Sequence, residues 1–273
     1  MINSAINSAR NWLRRHPRAY DLSVRLRRAI GITTPIAEVL HHFSLANNRC
    51  VRFIQIGASD GLHSDPIREF IVRDRWSGVL VEPLPESFEL LQRNYRYLHH
   101  KDITFVNAAI TVSYESSLTF WTFSDTFLIQ FSDEDKLNYI QKSSFHREHV
   151  AGLLETEIDR DIHVIAINVK YLSLFDLINK YFKYGDIDLL VTDCEGYEAE
   201  LISETDWRHI RPKAILFESH NLGVHKDKVN TFLTSCDYQL YELGGDTLAI
   251  SREFLVIWKA RSRWAQRHLA VLY

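Results

Sequence analysis

From position 49 the chain changes texture: short apolar runs alternate with stretches whose apolar side chains recur every three or four positions. Val51 to Ile56, GVLVEPL at 78 to 84, ITFVNAAI at 103 to 110, HVIAINV at 163 to 169, IDLLVTD at 187 to 193 and AILFES at 214 to 219 read as strands, being short and rich in β-branched and aromatic residues. LTFWTF at 118 to 123 reads as an added strand, and the polar stretch from 124 to 162 shows little periodicity. Between the runs lie helical patterns. Asp65-Pro66 starts one that turns Ile67, Phe70 and Ile71 to the sheet; Pro85 starts another with Phe88, Leu91, Tyr95 and Leu98 on one stripe. Ser173 caps Leu174, Leu177, Ile178 and Tyr181; Val229, Phe232, Leu233 and Cys236 mark the last. YQLYEL, a Gly244-Gly245-Asp246 turn and TLAIS close with a hairpin. Strands alternating with helices predict a mostly parallel α/β sheet covered on both faces, with an antiparallel terminal edge.

The first 48 residues differ. Leu22, Leu26 and Ile30 share one face of a helix expected to end at Gly31 or before Pro35, and EVLHHF forms a second short helix. No repeat or low-complexity linker appears, so the expected organisation is a helical extension over 1–48, one domain over 49–258 and a basic tail over 259–273. The net charge of −3 is spread unevenly: residues 1–30 carry seven Arg and one Asp, residues 252–273 carry net +4, and the body is left at −13. Such an end helix most simply packs on the protein's own acidic body. A basic amphipathic end can also rest on anionic lipid or an acidic partner, and it is a candidate homodimer contact. With no basic stripe across the body, nucleic acid is not an expected partner.

At 273 residues, 46% hydrophobic and 25% charged, the composition is that of a soluble globular protein, and disordered or fibrous classes are excluded. No apolar run approaches the roughly 18 residues of a membrane span. The first 20 residues lack the apolar core of a secretory signal, although they are Arg-rich and acid-poor as an organelle transit segment would be; the cytoplasm is the expected location. Cys50, Cys194 and Cys236 show no C-x-x-C spacing, which excludes a disulfide framework or zinc ribbon; Cys50 and Cys236 are expected as small buried residues.

In an open α/β sheet the ligand sits beyond the carboxyl ends of the strands. The first strand ends in VRFIQIGASDG. A dinucleotide fingerprint needs two further glycines, where Ser59 and Leu62 stand, and no Gly-Lys-Ser/Thr of a P-loop follows. The turn therefore suits a ligand without phosphate, such as an adenosine carrying an amino-acid tail. Glu82 ends the second strand 21 residues beyond Gly61, the distance at which an acid meets ribose hydroxyls; Pro83 stiffens its turn. Asn107 and Ala108 follow the third strand, an amide for an adenine edge and a small residue for the ring. Asp193, Glu195 and Glu198 crowd the end of an apolar strand, and Glu218 and His220 end the next. Carboxylates at such a rim need hydrogen bonds, ion pairs or a metal.

FIQIGASDG, GVLVEPLPESFELLQRNY, LLVTDCEGYEAELI and AILFESH, in this order over roughly residues 50 to 250, resemble the motifs of the FkbM family of S-adenosylmethionine-dependent methyltransferases. The resemblance implies a class I, Rossmann-like methyltransferase fold with a mostly parallel seven-stranded sheet and an antiparallel C-terminal hairpin. It implies Gly57, Ala58, Ser59 and Gly61 along the methionine part of the cofactor, Glu82 at the ribose, and Asn107 and Ala108 beside the adenine. It also implies O-methylation of sugars, glycans or secondary metabolites. The sequence departs from the pattern at Gln55, often acidic in this class, and at Ser59, often Asn; Gln55 can still bond the amino-acid tail with less charge attraction.

Methyl transfer to a hydroxyl depends on alignment and on removal of the hydroxyl proton. The expected cofactor-binding set is Gln55, Gly57, Ala58, Ser59, Gly61, Glu82, Pro83, Asn107, Ala108 and Asp193. The candidate bases are Asp193, Glu195, Glu218 and His220, and the carboxylates among them could alternatively hold a divalent cation. Trp121 and His146 are candidates for an acceptor-binding lid. A nicotinamide-dependent oxidoreductase shares the strand pattern but not the glycines, and a non-catalytic interaction module is the other alternative.

Overall fold

Five of the apolar runs build the centre of the sheet because they are apolar on both faces and must be covered on both, and the terminal hairpin completes its edge. The computed structural model describes residues 12–13, 15–112, 119–182, 187–205, 207 and 210–269. Its strands in chain order are β1 (Arg52–Ile56), β2 (Ser77–Val81), β3 (Ile103–Val106), β4 (Ala109–Thr111), β5 (Phe120–Phe123), β6 (Val164–Ile167), β7 (Tyr171–Ser173), β8 (Leu189–Thr192), β9 (Ala214–Glu218), β10 (Tyr238–Leu243) and β11 (Asp246–Ser251). Seven form the order β10-β11-β9-β8-β1-β2-β3. All pairings are parallel except those of β11 with β9 and with β10.

Alternate residues of each strand enter two different cores. Phe53, Leu80 and Leu216 pack with helices Pro35–Ala46, Arg68–Asp74 and Arg252–Arg261, and Ile54, Val81 and Phe217 pack with Leu174–Tyr181, Glu198–Glu204 and Lys226–Ser235. The helix after the first strand begins at Arg68, two residues beyond Pro66. Asp65 still satisfies its first free amides, Oδ1 accepting from the N–H groups of Ile67 and Arg68 at 2.9 Å each. Cys50 is exposed, against the expectation of burial, because it sits in the turn before β1 instead of within the strand.

The apolar run from 103 to 110 is two strands. It leaves the central sheet after Val106, and β4 pairs with β7 in a separate ribbon. The runs near 120 and 165 also stand outside the sheet, paired to each other as β5 and β6, with Leu118 outside the described residues. The polar stretch between them holds four short helices, Asp125–Leu128, Asp133–Ile140, Arg147–Ala151 and Glu157–His163. Ser124, Ser132 and Thr156 cap three of them by accepting backbone N–H groups. At four to eight residues each, none is long enough to display a 3.6-residue repeat. Phe120, Phe123, Phe127, Ile140, Val150 and Val164 give this insert its own core, which meets Leu84 and Ala109 of the main body.

The N-terminal helix Pro17–Ala29 is clamped to the glycine turn. Arg68, only 2% exposed, donates to Asp21 of that helix at 2.8 and 3.2 Å, to the Gly61 carbonyl at 2.6 Å and to the Asn94 carbonyl at 3.0 Å. Truncating one member of such a buried pair typically costs about 3–5 kcal/mol.

Candidate functional site

A cavity of about 500 Å³ lies beyond the carboxyl ends of the strands, floored by the sheet and roofed by the insert. Of the expected cofactor set, Gln55, Gly57, Ala58, Ser59, Glu82, Pro83, Ala108 and Asp193 line it. Gly61 and Asn107 do not. A side chain on Gly61 would meet Leu91 and Tyr95 at 2.3 and 2.6 Å, and its φ is +62°, so this glycine permits the helix Pro85–Tyr95 to close under the turn. Asn107 turns inward, its amide donating to the carbonyls of Glu82 at 2.9 Å and Pro83 at 3.0 Å, and so holds the acidic turn from behind.

The turn after β1 is fixed by its neighbours on both sides. Gly57 and Ala58 donate to the Val81 carbonyl at 3.0 and 2.9 Å. A Cβ on Gly57 would fall 1.8 Å from the Asp193 carbonyl oxygen, so only glycine lets the ends of β1 and β8 come this close. Ser59 holds a left-handed φ of +48°, a region that Asn tolerates better than Ser. Its hydroxyl accepts from the Gln141 amide of the insert at 2.7 Å.

Glu82 is buried, not solvated at a strand end. Its two oxygens accept from the N–H groups of Ser59 at 2.8 Å and Leu84 at 2.9 Å. Burial pushes its carboxyl up to about 7, with those two backbone bonds opposing and Asp60 adding to the rise. Each oxygen retains a further lone pair. Gln55 is 3% exposed, and its Oε1 has no partner among the described residues.

The opposite rim is crowded with acids of unequal standing. Glu198 accepts from the N–H groups of Cys194 and Gly196, which folds the Asp-x-Glu-Gly turn over its carboxylate, and burial pushes it up to about 7. Glu195, in a left-handed conformation with φ +52°, is a hub. Lys142 Nζ lies 2.6 Å from it, His149 Nε2 3.0 Å and Asn221 Nδ2 3.2 Å. Burial raises Glu195, but His149 and Lys142 outweigh it and hold the group below the usual carboxylate range. Glu218 accepts from Asn221 at 2.8 Å, lies 3.4 Å from His220, and is raised by burial and then by Glu195. Asp193 opens on the cavity and accepts no hydrogen bond among the described residues. It is held well above the usual range, first by the protein displacing water around it, then by Glu218, Glu195 and Glu198.

Lys142, His149, Gln141 and Asn221 are site residues that sequence reasoning missed. The first three lie in the stretch without periodicity, where no element assignment pointed them anywhere. Asn221 follows FES-His directly and was legible as part of that rim. Trp121 stands outside the cavity lining, under the Arg147 guanidinium, and His146 pairs with Glu200 at 3.5 Å. Asp193, Glu198 and Glu218 each bring an oxygen within 4.8 Å of the others and could hold a cation, although both oxygens of Glu198 already accept backbone N–H groups.

This strand order, with one antiparallel strand next to the edge and the cavity at the carboxyl ends, defines a class I methyltransferase fold. The Methyltransferase FkbM domain model matches residues 55–240, and the chain belongs to this family of S-adenosylmethionine-dependent methyltransferases. Among solved structures it is similar to a methyltransferase FkbM from Methylobacillus flagellatus, at 13% identity over 74% of this chain and 44% of that one, TM-score 0.42. It is similar to precorrin-6y C5,15-methyltransferase from Geobacter metallireducens, at 12% identity over 77% and 87%, TM-score 0.37. It is also similar to the S-adenosylhomocysteine-bound methyltransferase PaMTH1 from Podospora anserina, at 10% identity over 92% and 97%, TM-score 0.38. No curated protein matches the sequence. Family membership sets aside the oxidoreductase alternative.

Proposed function

We propose that the protein is an O-methyltransferase that methylates a hydroxyl of a sugar, glycan or secondary metabolite, with Asp193 accepting the hydroxyl proton. The observation that carries this reading is the state of Asp193: open to the cavity, free of hydrogen bonds among the described residues, and held well above the usual carboxylate range by displaced water and three neighbouring carboxylates. A carboxylate raised in this way holds a transferred proton more firmly than one in its ordinary range. Glu195 is the weaker candidate because its charge is already matched by Lys142 and His149. Glu218 is shared with Asn221, and His220 is 57% exposed at the outer edge.

The cavity residues fit the donor. The unpartnered Gln55 Oε1 suits an ammonium group, the free lone pairs of Glu82 suit two ribose hydroxyls, and Ala108 leaves room for a flat ring. When bound, S-adenosylmethionine supplies an electrophilic methyl group on a sulfonium centre. The protein contributes alignment, exclusion of water beneath the insert, and a proton acceptor at Asp193. The test is mass spectrometry of a cell extract incubated with the protein and isotopically labelled donor. Label on a hydroxyl oxygen of a sugar or small metabolite is expected; label only on nitrogen or carbon, or none in any pool, would overturn the reading and favour a non-catalytic role.

A further inference from the structure

The N-terminal helix Pro17–Ala29 presents a face that the other described residues leave bare. Its orientation is fixed from the other side. Asp21 is buried against Arg68 and accepts from the Tyr97 hydroxyl, while Arg28 makes a two-pronged pair with Glu69 and donates to the Ala37 carbonyl at 3.0 Å. The 3.6-residue repeat then turns Leu22, Leu26 and Ile30 away from the body, and they are 57%, 59% and 74% exposed. The same repeat sets Arg18 and Arg25 along one edge of this stripe and Arg27 along the other, all three exposed. Exposed Trp12 and Ile32 stand just beyond the two ends of the helix.

We infer that this helix is an in-plane anchor that docks the protein on an anionic lipid surface. Single exposed leucines are common, but an apolar stripe the length of a helix and edged with cations is the pattern of helices that lie at a membrane interface. There the apolar side chains enter the acyl boundary, and arginines reach back to the headgroups along their aliphatic stems. Charge selects the occupant. Residues 1–30 carry seven Arg and one Asp, and that Asp is already paired with Arg68. A second copy docked stripe to stripe would bring Arg18, Arg25 and Arg27 against their own counterparts, and an acidic polar partner would leave the stripe wet. Arg15, two residues before the helix, lines a smaller cavity together with His63, Ser87, Asn138 and Ile140, all of which also line the main one. The docked helix therefore lies beside a cavity that adjoins the site. Where the O-methylation reading holds, this favours an acceptor carried at the bilayer.

Sedimentation with vesicles of phosphatidylcholine, alone or mixed with phosphatidylglycerol, tests the anchor without methyl donor or acceptor, so its outcome is independent of the catalytic reading. The full chain is expected to partition about tenfold or more in favour of the mixed vesicles, and to lose this preference as salt rises. Leu22→Asp with Leu26→Asp should abolish binding. Arg25→Glu with Arg27→Glu should remove the preference for anionic lipid. All four positions are exposed, so melting temperatures should hold. Equal partition onto both vesicle types, variants that bind like the unaltered protein, or a lipid-free dimer that the Leu22/Leu26 variant splits into monomers would overturn the proposal.

Discussion

Glu82 and Asp193 follow β2 and β8, the two strands that flank β1, and both are raised by burial. Their wiring is opposite. Glu82 receives two backbone N–H groups, which fix its oxygens and leave lone pairs aimed at whatever enters the cavity. Asp193 receives none and is surrounded by other acids. One carboxylate is buried and pinned by main-chain N–H groups, and the other is exposed to the cavity with its oxygens unbonded among the described residues.

The contrast breaks first at Asp193. Asp193→Asn is expected to lower kcat about 10²–10⁴-fold while changing S-adenosylhomocysteine affinity little; calorimetry beside labelled-methyl turnover separates the two, and a loss mainly in affinity would reassign Asp193 to the donor. Glu82→Ala should do the reverse. Each hydrogen bond to a charged group contributes about 1.5–3 kcal/mol, so Kd for the spent donor should weaken by roughly 10–100-fold or more with kcat at saturation nearly unchanged. Unaltered affinity would remove Glu82 from the donor side.

Stability against pH sharpens the comparison. In the cofactor-free protein the folded state keeps a proton on Glu82 up to about pH 7 that the unfolded chain releases near its ordinary value of 4.5. Stability should therefore fall as pH rises between those values, by at most about 3 kcal/mol. Glu82→Gln should flatten that slope and raise the melting temperature at pH 8; an unchanged slope would mean the charge is solvated in solution. Lys142→Ala removes one of three partners of Glu195 and should raise the acceptor KM a few-fold with donor affinity held, which initial-rate kinetics would read. The smallest effect belongs to chelation: EDTA is expected to leave turnover unchanged, and loss restored by added magnesium would mean that Asp193 and Glu218 hold a cation.

The central sheet was legible because its strands are apolar on both faces and the turns after them carry the informative residues, Gly57, Glu82 and Asp193. The central strands end within three residues of the expected bounds except where strands break. Val106 leaves the sheet although the run stays apolar to Ile110, since β4 finds a partner in β7, and composition cannot say which partner a strand will choose. Gly61 is expected as a ligand contact from the family resemblance and Asn107 from its place after a strand, whereas packing under Leu91 and Tyr95 and bonding to the Glu82 and Pro83 carbonyls put them behind the cavity. The insert was the least legible part. Its helices are too short for periodicity, and their signal lay in the caps Ser124, Ser132 and Thr156.

The contact of Gly57 with the Asp193 carbonyl leaves no slack between the loops after β1 and β8. The spacing of the two loops is consequently set by main-chain packing, leaving only side-chain torsions to adjust what they present to the cavity. Sequence drift that reshapes the cavity is thereby channelled into the roof, where side chains can be exchanged while the floor stays put.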